Sequence, residues 1–592
     1  MKNRILALFM TLCMVTAFIP IFSQSFYAEE IKTVKDLVPD QTTLTQAFPD
    51  EAFRNYIKNT VLTPTDYDAE EKINQHGIDT IKNVKELKVT SKEIYSLQGI
   101  EHFTSLTYLD CSNNVEEKSD SSSSSTSSLS NRLKALDLSN NTSLTYLDCS
   151  FNPFDIVLDL SKNTALTVLN CKYNGFTQLD ISNNTALTSL DCVGNQLTVL
   201  DVSKNTDLTS LKCEGNPITA LDVSKNTALT SLNCECTKII FLDVSKNTAL
   251  TSLNCSDNNL TTLDISNNAA LSDLDCTWNQ LTELDVSKNT CLTVLNCYKN
   301  KLTGLKLSNN TNLTDLHLAY NQFERLDLSN CTKLTYLDCS ENKLTELNII
   351  NNAKLIKLYC SNNQLAQLDL SNCADLTYVD CSYNKLTNLV VSNNPKLTYL
   401  YCFYNQLTHL DVSKCIALNV LNCFNNQLTQ LDISKNTYID NLNLDSNKMT
   451  TLTTGAKTFN LLGDALTKSV YDLLSKTINI GELVAPQDKK NVSIINVADG
   501  GNYLYDPETG ILTCEKIPTY VSYSIDIYTT GNSPEVKLFT MNVNLMSSSE
   551  VIPHNPETND FDLLLWPVVA CVAGLFIIMI YRKRNNNNQP VK

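Results

Sequence analysis

The chain has 592 residues and a formal net charge of −17. That acidity excludes nucleic acid and anionic lipid as partners of the folded part, because phosphate-rich surfaces call for basic patches. Five histidines (His76, His102, His317, His409 and His554) are scattered without metal-ligand spacing, and no nucleophile motif accompanies them, so neither a cofactor, a metal nor catalysis is expected.

Lys2 and Arg4 open the chain, and the run from Ile5 to Phe22 is almost entirely apolar. With small residues at Ser23, Ser25 and Ala28, residues 1–28 are predicted to be a signal peptide. Residues 29–84 precede the repeats. They are predicted to cover the first coil, whose apolar edge would otherwise face water. Asp66, Asp68 and Glu70 have an acidic spacing, but the glycine and closing glutamate of a calcium loop are missing.

Residues 85–454 are organised by a period of 21. The unit LxxLDVSxNTxLTxLxCxxNxLT recurs, as in "LTELDVSKNTCLTVLNCYKNK" from Leu281 and "LTTLDISNNAALSDLDCTWNQ" from Leu260. It contains the leucine-rich-repeat signature LxxLxCxxNxL. Cys171, Cys192, Cys213, Cys234, Cys255, Cys276 and Cys297 mark successive units, Leu318 substitutes once, and Cys339, Cys360, Cys381, Cys402 and Cys423 continue to Leu444. Cys111 and Cys149 stand ahead of them, separated by a serine-rich insertion over 115–132 that is too polar to fold. The count is 16 coils after a leading coil at Leu87 and Val89. A single coil cannot bury its own apolar face, so the predicted fold is a parallel β-strand stack with little helix.

Each ladder cysteine shares its pleat direction with the leucine two places earlier and is expected to point inward. Buried free thiols are the first reading. Disulfides would need Cβ atoms closer than in-register strands allow, and metal is the remaining alternative. Cys331, Cys373 and Cys415 replace the asparagine of the DVSxN half at every second coil. The asparagine three places after the ladder cysteine (Asn174, Asn195, Asn279, Asn384, Asn405) is expected to satisfy backbone groups where the chain leaves the strand.

Beside the cysteines the residues vary, and in the C-terminal half they turn aromatic: Trp278, Tyr298, Tyr320, Tyr336, Tyr359, Tyr378, Tyr383, Tyr399, Tyr401, Phe403, Tyr404 and Phe424. Stacked coils would align them into a ligand-binding patch. The alternative is that tyrosines merely join neighbouring coils.

Residues 455–546 alternate as antiparallel strands do and are predicted to form a small immunoglobulin-like β-sandwich. A tether over 547–562 follows, then an apolar run over 563–581 long enough to cross a membrane, and a basic tail over 582–592 that would remain cytoplasmic.

The period, the LDVSKNT half, the cysteine ladder and the anchored C-terminus together resemble internalins, in particular cysteine-ladder surface adhesins of Gram-positive bacteria. The resemblance covers 85–450 and implies a curved solenoid that binds host-surface protein or glycan, such as glycoproteins or mucins. "AFPDEAFRNYI" is similar to the small helical N-terminal caps of related repeat proteins. Asn555, Pro556, Glu557, Thr558 and Asn559 are similar to a sortase sorting signal, which implies cleavage after Thr558 and attachment to peptidoglycan. A permanent membrane anchor is the alternative, and a structural cell-wall protein without a defined ligand is the alternative function.

Overall fold

A computed structural model of the chain describes residues 36–448, apart from 91–93, 113–132, 153, 155 and 156, together with short stretches between 451 and 544. The predicted signal peptide, serine-rich insertion, sorting motif, apolar run and basic tail lie outside the described residues.

Three helices come first: α1 (Leu44–Ala47), α2 (Glu51–Thr60) and α3 (Gln75–Asn83). Each starts at a side-chain cap: Thr43 and Gln46 form a capping box, Asp50 accepts from the Phe53 amide, and Asn74 accepts from the Gly77 amide. Phe53 and Ile57, one helical turn apart, are buried. Asp50 also accepts from the backbone amides of Tyr95 and Ser96, and the Phe48 ring lies 6.0 Å from that of Phe103. The helices are thereby joined to the leading coil by both polar and apolar contacts. The Asp66 and Asp68 carboxylates are engaged by local partners. Asp66 accepts from Thr63 and pairs with His76, and Asp68 accepts from the amides of Glu70 and Lys72.

The repeats build one parallel sheet of eighteen strands. Each strand has three residues, and in the seventeen up to Asn441–Asn443 the central leucine or valine is inward and its neighbours outward, as in Tyr336–Asp338 and Tyr378–Asp380. The register is one repeat per strand, so Leu274 faces Leu295 and Leu295 faces Leu316. The sheet runs past the last full repeat: Asn460–Leu462 pairs in parallel with Asn441–Asn443. In the LDVS half, paired strands occur at Gln367–Asp369 with Asn388–Val390 and at Gln430–Ile433 with Thr451–Thr454. The aspartate of this half takes the amide two residues on both in such strands, as Asp369 does for Ser371, and in unpaired coils, as Asp201 does for Ser203. Beyond 470 the strands become antiparallel, in one sheet of four and one of three.

All fourteen ladder cysteines are buried, and none of the described cysteines is disulfide-bonded. Cys276 Sγ lies 3.7 Å from Cys297 Sγ, which is thiol-to-thiol contact distance. Two asparagine ladders hold the turns. Asn195 Nδ2 donates to the carbonyls of Cys192 (2.9 Å) and, one coil earlier, Cys171 (3.0 Å), while its Oδ1 accepts from the amides of Asn174 and Phe176. On the other side Asn205 Nδ2 donates to Ile181 O and Asn184 O. Threonine hydroxyls add a third ladder, as where Thr230 donates to Thr209 O.

Candidate binding face

Outward side chains of the eighteen-stranded sheet form one face. The strand supplies two rows, and the residues one and two places after the ladder position supply an adjoining edge. The second of these edge residues has a positive φ coil after coil: Trp278 at 53°, Tyr320 at 55°, Tyr383 at 52°, Tyr404 at 50°, and also Lys299, Glu341, Asn362 and Asn425. Gly194 and Gly215 occupy the same place. This left-handed turn brings the chain off the strand so that the following asparagine can reach back to two carbonyls. The periodic glycines and asparagines were the available signal for it.

The twelve aromatic residues fall into groups. In the strand rows, Tyr336, Tyr359, Tyr378, Tyr399 and Tyr401 form a chain of rings with centroids 4.8–5.8 Å apart. On the edge, Tyr383 lies 5.3 Å from Phe403 and 4.5 Å from Tyr404, which lies 5.1 Å from Phe424. Tyr298 and Tyr320 pair at 5.2 Å, and Trp278 is covered by Lys299 Nζ at 3.3 Å. Trp278, Tyr320, Tyr383 and Tyr399 are 38–48 % exposed, while the other eight are half-buried. The rings therefore pack across coils and also keep edges toward solvent.

Sequence reasoning missed His317, which stacks on Tyr336 at 4.4 Å and extends the strand chain by one coil. It also missed an N-terminal set: Tyr108 with Tyr146 at 4.2 Å, and Phe151 with Tyr173 at 4.9 Å. These residues occupy the same repeat positions as the others, and alignment of the repeats would have found them.

Burial shapes the electrostatics of this face. It pushes Tyr298 and Tyr359 up to about 12 and raises the carboxyls of Asp338 and Asp380, whose serine partners Ser340 and Ser382 pull the other way. It lowers His317 despite the nearby Asp338, Asp315 and Asp275, so the imidazole is neutral at pH 7. Glu214 is raised to about 7 by burial, with Asp191 adding to the rise. The described residues contain no cluster of His, Cys, Asp or Glu arranged to hold a metal ion. No helix among them is long and apolar enough to cross a membrane.

No protein-family model matches the chain, and no curated protein sequence does. Solved structures do. The functional domain of InlJ from Listeria monocytogenes, described as including a cysteine ladder, is 32 % identical with a TM-score of 0.56, over 86 % of this chain and 100 % of that one. A leucine-rich-repeat protein of Leptospira interrogans is 22 % identical with a TM-score of 0.51, over 63 % of this chain and 93 % of that one. The ectodomain of the Arabidopsis thaliana receptor kinase GASSHO1/SCHENGEN3, solved with CASPARIAN STRIP INTEGRITY FACTOR 2, is 21 % identical with a TM-score of 0.54, over 66 % of this chain and 51 % of that one. The last two share the fold alone. The first combines the ladder, the repeat and full coverage of its length, and on that ground this chain belongs to the internalin family of leucine-rich-repeat proteins.

Proposed function

We propose that this chain is a cell-surface adhesin that binds a host protein or glycoprotein through the aromatic part of its sheet face. The observation that carries the reading is the double chain of rings over residues 317–424, four of whose flanking or member aromatics remain more than a third exposed. Clustered, partly solvated aromatics are what protein and sugar partners bury most profitably. The receptor ectodomain that shares the fold was solved with a bound partner, which supports a binding role for this architecture. On the same reading, residues 29–84 cap the first coil, and the part of 455–546 beyond the last solenoid rung at Asn460–Leu462 forms an immunoglobulin-like sandwich. Sortase cleaves after Thr558 and joins the chain to peptidoglycan, so the solenoid projects from a Gram-positive cell wall.

Ring-to-ring packing across coils favours a second reading, in which the tyrosines brace a structural wall protein. A panel of mucins, glycans and extracellular-matrix proteins separates the two when probed with the native chain and with Tyr383→Ala/Tyr399→Ala. The adhesin reading expects a ligand whose affinity falls at least about tenfold in the double variant. A ligand bound equally by both proteins would place the site elsewhere.

A further inference from the structure

Where the aromatic chain ends at His317, the sheet face drops into a shallow basin of about 140 Å³. Its outward walls are Ser252, Asn254, Asp273, Asp275, Val294, Asn296 and His317, on four successive strands. Asp273 and Asp275 are two residues apart on one strand, so both side chains stand on the same side, about 7 Å from each other. Asp275 is held upright: its Oδ2 accepts from Asn296 Nδ2 at 3.1 Å and its Oδ1 from the Thr277 amide at 2.9 Å. Asn254 is fixed by donating to Glu235 Oε2 at 2.9 Å. At the C-terminal end the His317 ring forms the wall, backed by Tyr336. No lysine or arginine lines the basin, and Lys299, the cation just beyond it in sequence, is turned onto Trp278.

We propose that this basin seats a cationic side chain of a protein partner, an arginine, with Asp273 and Asp275 as its anionic partners and the His317–Tyr336 pair as its stacking wall. The proposal rests on the reading of this face as a docking surface and names the chemistry of its anchor. A guanidinium offers five donors in a plane and stacks on rings, which suits two carboxylates beside an aromatic wall. A neutral polyol covering the basin would take both carboxylates out of water without compensating their charge, and that is costly. Remaining lone pairs on each carboxylate are available to the ligand, since an ionised carboxylate has about four acceptor sites.

The test uses the full chain and two capped tripeptides, acetyl-Gly-Arg-Gly-amide and its citrulline counterpart, followed by saturation-transfer NMR. The expected result is saturable binding of the arginine peptide and at least about tenfold weaker binding of the neutral isostere. Asp273→Asn and Asp275→Asn should each weaken the arginine peptide by about tenfold, while Asp369→Asn, on the strand Gln367–Asp369, should not. Circular dichroism would verify that the variants fold. Equal binding of the two peptides, no binding of either, indifference to both basin substitutions, or displacement by methyl N-acetylglucosaminide at lower concentration than the arginine peptide would each overturn the proposal. Tyr383→Ala/Tyr399→Ala leaves the basin intact, so failure of the wider docking reading and failure of the arginine seat give different patterns.

Discussion

Replacing Asn268 by alanine, cysteine and aspartate in turn tests how the outer asparagine ladder holds successive coils. The side chain is fully buried, and its Nδ2 donates to Val244 O at 3.1 Å and Asn247 O at 2.8 Å. Both carbonyls also accept a backbone amide, from Asn247 and Leu250 respectively. Alanine therefore orphans neither of them. It loses the net value of two hydrogen bonds, about 1–3 kcal/mol in all. Cysteine should cost less than alanine, because the chain already uses it at this place. Cys331 Sγ sits 4.0 and 3.9 Å from the corresponding carbonyls, and Cys373 Sγ sits 3.5 Å from Asn352 O. Aspartate should be the worst at pH 7, at about 3–5 kcal/mol, since it places an uncompensated charge against two carbonyl oxygens. Its folded pKa would lie above the unfolded value. The penalty should therefore be absent below about pH 4 and grow as pH rises through neutrality. Urea unfolding followed by circular dichroism gives the size of each effect. Hydrogen exchange over residues 244–268 localises it, because solenoids open coil by coil. If aspartate proves no worse than alanine at pH 7, or cysteine proves worse than alanine, the assigned direction of these hydrogen bonds is wrong.

Burial raises ladder thiols such as Cys234 and Cys423, both to about 12, so the folded chain holds protons that the unfolded chain releases above about pH 9. Stability should fall from pH 9 upward by about 1.4 kcal/mol per pH unit for each such thiol, seen as a steep alkaline unfolding curve; a flat profile between pH 9 and 11 would contradict it. A bulky maleimide at pH 8 should label Cys236 and Cys291, the exposed members among the described cysteines, and reach the ladder only after denaturation. Glu214→Gln should stabilise the chain at pH 8 and make no difference below pH 4.5, because the raised carboxyl favours folding only while the unfolded group is still protonated. Gly194→Val should destabilise by at least about 1–2 kcal/mol in urea unfolding through its positive φ, and the new Cβ should push the partly exposed Tyr173 ring aside.

Much of the architecture was legible because repetition multiplies weak signals. One LxC triplet says little, but the same triplet every 21 residues fixes strand, register and inward face together. Asparagines such as Asn195, three places after a ladder cysteine, do what their spacing implied, since an amide at a strand exit finds two carbonyls in reach. Other features were less visible. The LDVS halves share the pattern of a strand, yet over most of the described coils neighbouring halves do not pair; the aspartate bond to the following amide occurs in paired and unpaired coils alike and does not decide it. The terminal rung at Asn460–Leu462 carries no repeat signature, because pairing to a sheet edge needs only an extended backbone. The aromatics were recognised as residue types on one face, but their separation into strand and edge chains depends on a turn geometry that tyrosine and tryptophan do not announce.

That turn bears on the function. A residue with a side chain in the left-handed region costs about 1–2 kcal/mol relative to glycine, and the chain shows at Gly194 and Gly215 that glycine fits the position. Coils that carry Trp278, Tyr320, Tyr383 and Tyr404 there accept that cost repeatedly, with large side chains that stay partly in water. Packing across coils offsets part of it where rings touch, as between Tyr383 and Tyr404. Trp278, nearly half exposed, meets only the flexible Lys299 among the ring contacts of the described residues. The same turn is filled by Lys299, Glu341, Asn362 and Asn425, so its cost belongs to the coil whatever side chain stands there; what sets Trp278, Tyr320, Tyr383 and Tyr404 apart is large apolar surface kept partly in water, and it is this surface that the proposed docking role uses.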